Sequence, residues 1–150
     1  PNGYVYTVEH TPTGESPITH NDIALEADPN PPDKYFALFK FAPGVLSNSQ
    51  KLIVANIPWA CALPTDLDDG VYPSLFTVDS GALPTATTTL TLKNNGASIG
   101  TVAFSTLGAP TVTFPAGITF DEGDQFSVHG QASADATAGD IAITIVFNLT

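Results

Sequence analysis

The chain has 150 residues, of which 43% are hydrophobic and only 13% are charged, so it can bury the core of one domain and lacks the composition of a disordered protein. Fifteen acidic residues face four lysines and no arginine, which gives a formal net charge of −11. Because nucleic acids and anionic membranes are both bound through cationic side chains, we expect no nucleic-acid partner and no membrane partner.

The single cysteine and the first residues of the sequence indicate the cellular compartment in which the protein is made. Cys61 can form no intrachain disulfide, and its place in the apolar run "IPWACAL" predicts a small buried side chain. The sequence begins "PNGYVYTVEH", without the basic start and apolar stretch of a signal peptide, and no run approaches the ~18 apolar residues of a membrane helix. We therefore expect a protein that is made in a cytoplasm.

Residues 1–50 differ in composition from the rest of the chain. They contain seven prolines, and their apolar stretches are short. The segment "NDIALEAD" at 21–28 predicts two turns of helix that end before Pro29. Because so little apolar surface cannot form a separate domain, we predict an extended, proline-rich N-terminal arm with short strands. The strand candidates of the arm are "YVYTV" at 4–8 and "YFALFKF" at 35–41.

From Lys51 the pattern becomes regular: short stretches rich in Thr, Val, Ile and Phe alternate with turn signals that contain Gly, Asp and Pro. Strands do not alternate with helical stretches, so a parallel sheet is not expected. The pattern predicts an all-β fold, an antiparallel β-sandwich or jelly roll over residues 51–150. The predicted strands are 51–57, 75–78, 87–92, 99–104, 111–114, 125–129 and 140–149.

The segment "KNNGASIGTVAF" predicts a hairpin, since Asn95-Gly96 is a pair that suits a tight turn. The buried faces of the two strands should set its register, and they pair Leu90 with Val102. That register requires either a three-residue loop, Asn95 to Ala97, or a bulge in one strand. We predict the longer loop.

Residues 140–149, "DIAITIVFNL", form the clearest strand. Its large apolar side chains share one face, and at roughly 1.5–3 kcal/mol for each fully buried residue they predict a core strand. Val146 lies on the opposite face, where an apolar residue indicates a subunit contact. The residues of the core face are Ile141, Ile143, Ile145, Phe147 and Leu149.

No reactive constellation is recognisable in the sequence. His10, His20 and His129 are scattered, without a partner cysteine and without the spacing of a zinc site. Neither a G-x-S-x-G elbow nor a glycine-rich loop between strand and helix occurs. We therefore predict no catalytic residue, no metal ligand and no cofactor. The acidic clusters "DLDDG" (66–70) and "DEGD" (121–124) are interpreted as turns, with calcium binding as the alternative.

Aromatic residues and the outward-facing Val146 are the candidates for contact with a partner. Tyr4 and Tyr6 share one face of their strand, which suits either a sugar platform or a patch that docks on another protein, and docking is favoured. The specific hypothesis is strand addition to a neighbouring chain by residues 4–8 or 35–41. The candidate partner-binding residues are Tyr4, Tyr6, Tyr35, Phe39 and Val146.

Three runs in residues 51–150 resemble one known family: "KLIVANIPWACALPTDL", "TLTLKNNGASIGTVAF" and "ITFDEGDQFSVHGQASADATAGDIAITI". This part of the chain resembles a β-sandwich module recurrent in tailed-bacteriophage and prophage virion proteins, in decoration, neck or tail components. A second asparagine in the turn, Asn94, and Gly139 at a leucine-like position depart from the family's pattern. The matching turn positions are Lys93, Asn95, Gly96, Gly100, Thr101, Phe120, Gly123, Asp124, Asp135, Ala136, Thr137, Asp140 and Ile141.

The resemblance implies a virion structural protein without enzymatic activity. Because the sequence lacks the coiled-coil or repetitive shaft of a tail fibre, we expect a capsid decoration, or cement, protein. It should bind the outer shell as a trimer, through the major capsid protein or other virion proteins. The alternative is a tail or fibre-type receptor-binding module that recognises host surface polysaccharide, and a secreted hydrolase is least expected. The expected location is the virion, after synthesis in the host cytoplasm.

Overall fold

In a computed structural model of the chain, the described residues are 35–64, 67, 74–115 and 117–150. Several predictions lie outside these residues: the strand at 4–8 with Tyr4 and Tyr6, the helix at 21–28, and the acidic side chains of "DLDDG". The described residues form ten strands and no helix. The strands are β1 (Tyr35–Val45), β2 (Lys51–Asn56), β3 (Cys61–Leu63), β4 (Leu75–Val78), β5 (Thr88–Asn94), β6 (Ala97–Phe104), β7 (Pro110–Thr113), β8 (Ile118–Phe120), β9 (Gln125–His129) and β10 (Gly139–Leu149).

These strands form two antiparallel sheets. In the first sheet β1, β10, β3 and β8 follow in that order, and β4 pairs with the first half of β10. In the second sheet the order is β2, β9, β5, β6 and β7. The prediction of an all-β fold built from antiparallel sheets is confirmed, and the two sheets form a β-sandwich.

The core lies between the sheets and is filled by the inward faces of their strands. Four of the five residues predicted for the core face of β10, Ile141, Ile143, Ile145 and Phe147, are at most 2% exposed, and Leu149 at the end of the strand is half-buried. The Phe147 ring meets the Phe126 ring of the second sheet edge to face, with centroids 5.3 Å apart. Such aromatic pairs contribute about 0.5–1.5 kcal/mol beyond the burial of their area.

β1 belongs to the first sheet over its whole length. It pairs with β10 along residues 35–45, with one irregularity between Ala42 and Val45. Its inward-facing Phe36 stacks on Phe147 with ring centroids 4.8 Å apart. The strand predicted at 35–41 therefore extends to Val45, and although these residues lie within the predicted arm, they contribute to the core of the sandwich.

The β5–β6 hairpin has the predicted register but reaches it differently. Leu90 pairs with Val102, yet the turn contains only Asn95 and Gly96. The prediction of a three-residue loop is wrong, because a bulge at Ile99 takes up the extra residue. Both turn residues have positive φ, 49° and 84°, and a two-residue turn of this kind matches the twist of its flanking strands.

Candidate functional site

The outward face of the first sheet carries a row of exposed apolar side chains. Phe39 is 72% exposed, and Phe41 and Leu75 are each 56% exposed. Strand pairing places Phe39 and Leu75 on either side of Thr144. It also places Phe41 beside Ala142. These five residues of β1, β4 and β10 are called the outer apolar face below.

Alternation along β1 produces this surface. Phe36 and Leu38 face the core, so Phe39 and Phe41 face outward. Lys40 falls between them on the inward side, yet its side chain is exposed, because β1 is the edge of the first sheet among the described strands. A charge at such a position disfavours the pairing of another strand along that edge. The face of β1, not its edge, is therefore the better surface for a partner.

A groove of about 580 Å³ opens beside the outer apolar face. Two carboxylates line it: Asp140 Oδ1 accepts a hydrogen bond from Gly44 N at 2.7 Å, and Asp79 Oδ1 accepts one from Gly81 N at 2.7 Å. The other oxygen of each carboxylate accepts none from the described residues. The groove therefore combines an exposed aromatic ring with two available acceptors. Its lining residues are Phe41, Thr77, Val78, Asp79, Ser80, Asp140 and Ala142.

The predicted partner-binding residues are placed unequally. Tyr35 and Phe39 lie on the outward side of β1, with Tyr35 36% exposed. Val146 is only 5% exposed, and its amide donates a hydrogen bond to Ser74 Oγ at 2.9 Å. The Val146 side chain is therefore buried within its own chain and offers almost no surface to a partner. Burial in its own chain accounts for its apolar character without a subunit contact. Tyr4 and Tyr6 lie outside the described residues.

Sequence reasoning did not propose Phe41, Leu75, Asp79 or Asp140 as partner-binding residues, although they lie on the outer apolar face or line the groove. Phe41 follows Phe39 by two positions in "YFALFKF", so alternation alone could have included it. Leu75, Asp79 and Asp140 carry no comparable signal, because they reach the outer apolar face or the groove only through the pairing of β4 with β10.

Two residues of chemically reactive types, Cys61 and His129, lie outside this surface. Cys61 is fully buried, as predicted, and burial, with a smaller effect from the negative charge of Asp124, raises the pKa of its thiol to about 12. The thiol is therefore protonated at neutral pH and is a poor nucleophile.

His129 lies with Nε2 3.1 Å from Ser127 Oγ. Its pKa is lowered by burial and then by the positive charges of Lys93 and Lys51. The charges around this serine–histidine pair are cationic, whereas a nucleophilic triad needs a carboxylate that orients the imidazole. No three His, Cys, Asp or Glu residues of the described ranges are close enough to hold a metal ion.

Asp124 organises the acidic turn between β8 and β9, residues 121–124. Its Oδ1 accepts from Asn95 Nδ2 at 2.7 Å, and its Oδ2 accepts from Asn94 Nδ2 at 3.1 Å and from Asp121 N at 3.0 Å. These hydrogen bonds, that from Asn95 first, hold the pKa of Asp124 below its ordinary value. Because protein donors occupy both oxygens, the arrangement supports the turn interpretation over a calcium site. The arrangement also gives a role to Asn94, the last residue of β5, which donates to Asp124.

Asp135 joins the segment before β5 to the segment before β10. Its Oδ2 accepts from Thr85 N, Thr85 Oγ1 and Ala86 N at 2.8–3.0 Å. Its Oδ1 accepts from Thr137 N, Thr137 Oγ1 and Ala138 N at 2.7–3.1 Å. The Thr137 bonds are the largest cause of a pKa held well below the ordinary value of an aspartate. Asp135 is thus a structural residue.

No family model matches the chain, and no curated protein and no solved structure is significantly similar to it. No helix that could cross a membrane is present in the part of the chain that the structure describes. The outer apolar face and its groove are the features of the described residues on which a function can be argued.

Proposed function

We propose that the protein is a structural, non-enzymatic component of a bacteriophage particle: a capsid decoration, or cement, protein that binds the outer shell as a trimer. The observation that supports this proposal most is the outer apolar face, exposed on a protein of net charge −11. The resemblance of residues 51–150 to a sandwich module of phage virion proteins agrees with it.

The outer apolar face suits a protein partner. Single exposed apolar residues are ordinary on protein surfaces, whereas adjacent aromatic and aliphatic side chains on one face are typical of an interaction site. Full burial of Phe39 and Phe41 would contribute roughly 1.5–3 kcal/mol each. The pairing of β1 with β10 already holds their backbone in place, so binding requires little further ordering.

The arm supplies a second contact in this proposal. The predicted arm, residues 1–50, would be extended and proline-rich ahead of β1. Its segment 4–8, with Tyr4 and Tyr6, would add a strand to a neighbouring subunit or to the major capsid protein. Tyr35 begins β1, and in this proposal the strands of the sandwich follow a jelly-roll course. Burial of apolar surface and of backbone hydrogen-bonding groups between capsomers would then strengthen the shell.

Occupancy on purified particles tests the proposal. The double variant Phe39→Ser/Phe41→Ser should lose particle binding, because it removes exposed apolar area without changing a buried residue. Val54→Ser is the matched control, since Val54 is 52% exposed on β2 of the other sheet. Each purified protein is added to particles that lack it, and the bound copies are counted after re-isolation. Equal occupancy for the double variant and the wild type would contradict the proposed surface, and a wild type located away from the head would contradict the proposed role.

The groove favours a second candidate function, recognition of host polysaccharide by a receptor-binding module. Sugar rings pack their apolar faces on exposed aromatic side chains, and their hydroxyls donate to carboxylate oxygens. Phe41 provides such a ring, and Asp79 and Asp140 provide acceptors on the same groove.

A glycan array separates the two functions. If the groove binds saccharide, Asp79→Asn/Asp140→Asn should weaken binding by about tenfold or more, because two charged acceptors are lost. Asn tolerates the positive φ of Asp140 and keeps one acceptor oxygen for Gly44 N, so the fold should persist. Asp121→Asn, an exposed change outside the groove, is the control. A wild-type protein that binds no glycan contradicts this second function.

A further inference from the structure

The turn of the β5–β6 hairpin joins two residues that can react with each other. Asn95 and Gly96 are both exposed, and Gly96 has no side chain to shield its amide nitrogen from the Asn95 carboxamide. A Cβ placed on Gly96 would meet no atom within 4 Å, so the turn is open to water on this side. The Gly96 amide donates no hydrogen bond to any described residue.

The reaction needs only water. The Gly96 nitrogen gives its proton to water or hydroxide and attacks Asn95 Cγ, the carboxamide nitrogen leaves as ammonia, and a five-membered succinimide remains. A water molecule then opens the ring at one of its two carbonyl carbons, which yields aspartate or an isoaspartate whose backbone runs through the former side chain. One water is consumed and one ammonia is released for each carboxamide that becomes a carboxylate.

The folded chain holds the Asn95 carboxamide at both ends. Its Nδ2 donates to Asp124 Oδ1 at 2.7 Å, and its Oδ1 accepts from Gln125 N at 2.9 Å. The backbone N–H of Asn95 also donates a hydrogen bond to the backbone carbonyl oxygen of Gln125 at 2.9 Å. The two side-chain hydrogen bonds tie the carboxamide to Asp124 of the β8–β9 turn and to Gln125, the first residue of β9, and they oppose its rotation toward the Gly96 nitrogen.

We propose that Asn95 is a site of spontaneous deamidation that Asp124 and Gln125 suppress in the folded protein, and that the reaction releases the hairpin from the β8–β9 turn. The product carries a carboxylate where Nδ2 donated to Asp124, so a hydrogen bond becomes a contact between like charges. The isoaspartate form also lengthens the backbone of a turn that has only two residues. This modification site is independent of the proposed function.

The test compares reaction rates at single residues of the full chain. The protein is incubated at mildly alkaline pH with and without denaturant, and deamidation at each asparagine is followed by peptide mass spectrometry. Asn2-Gly3 is the same dipeptide elsewhere in the sequence, and Asn94 is followed by a residue with a side chain, so both are internal references.

Asn95 should react about tenfold or more slowly in the native protein than in denaturant, because the reaction waits for local opening. Asp124→Ala should bring the native rate toward the denatured rate. Equal rates at Asn95 in native and denatured protein would overturn the proposal, as would an unchanged native rate in Asp124→Ala. If Asp124→Ala does not fold, the comparison of native and denatured wild-type protein remains the deciding test.

The effect of the product is measured separately. Asn95→Asp reproduces one product and should lower the melting temperature, whereas Asn95→Asp combined with Asp124→Asn should recover part of the loss because the like charge is removed. An Asn95→Asp protein as stable as the wild type would refute the proposed release of the hairpin.

Discussion

Asp135 accepts six hydrogen bonds at a position where the described residues place no cation against it. Backbone amides and two threonine hydroxyls stabilise the charged form, and this is the reason its pKa is depressed. The family resemblance indicated only that Asp135 occupies a turn position before the last strand. It could not show the contacts to Thr85 and Ala86, because those residues lie about fifty positions away in the chain.

Replacement of Asp135 by Asn should lower the melting temperature at neutral pH, because an NH₂ group would then face donors on one side of the carboxamide. The wild type should also lose stability in acid. The unfolded aspartate has a pKa of about 3.9, well above that of the folded protein, so below about pH 4 the unfolded chain binds the additional proton. This contribution is present above that pH and declines as the pH falls toward the folded pKa.

Thermal unfolding from neutral to strongly acidic pH measures both effects. The decline in acid should be shallower for Asp135→Asn than for the wild type, and Asp121→Asn, at an exposed turn position, should follow the wild type. Parallel curves for wild type and Asp135→Asn would show that this network does not contribute to acid sensitivity.

At the scale of single strands, alternation was informative where one face is buried and the other is not. The inward face of β10 was predicted on this basis, and so was the pairing of Leu90 with Val102. The choice between a longer loop and a bulge at Ile99 was not predictable, because it depends on the twist of the paired strands and on what the neighbouring residues contact.

Gly100, next to the bulge, shows how the contacts of a neighbouring residue constrain the hairpin. A Cβ at this position would collide with the Phe114 ring and would lie 2.8 Å from the Thr113 carbonyl oxygen. Gly100→Ala should therefore destabilise the protein by about 1–3 kcal/mol, the usual cost of overpacking. Denaturant unfolding measures the change.

Gly81→Ala is the matched control, because its nearest foreign atom is Asp79 Oδ1 at 3.1 Å, the end of an exposed side chain. Similar destabilisation by the two alanines would mean that the close approach of Phe114 is not what requires glycine at position 100.

At the scale of the whole molecule, composition predicts an arm that ends at residue 50, whereas strand pairing includes residues 35–45 in the sandwich. Prolines and short apolar stretches predicted one extended arm for all of these residues. Residues 35–45 instead form β1, which pairs along one edge of β10. The pairing of strands so far apart in sequence depends on tertiary contacts, such as the stacking of Phe36 on Phe147, that no local pattern reveals.

Two truncations distinguish the boundaries. A chain that lacks residues 1–50 should be less stable than one that lacks residues 1–34 by at least about 2 kcal/mol, the cost of removing one buried leucine, because it loses the whole of β1 and the buried Leu46. Denaturant unfolding followed by Trp59 fluorescence reports the difference, since Trp59 lies edge to face with Phe36 at 6.0 Å. Matching unfolding midpoints would assign β1 to the arm after all.

The state of Cys61 has a practical consequence for placing the molecule in a larger assembly. Because the chain's one thiol is enclosed and protonated, alkylating reagents should leave the native protein untouched. A cysteine introduced at any exposed position would then be the single attachment point for a fluorophore or crosslinker. Each side of the sandwich can be mapped against its neighbours in this way without first deleting a native residue.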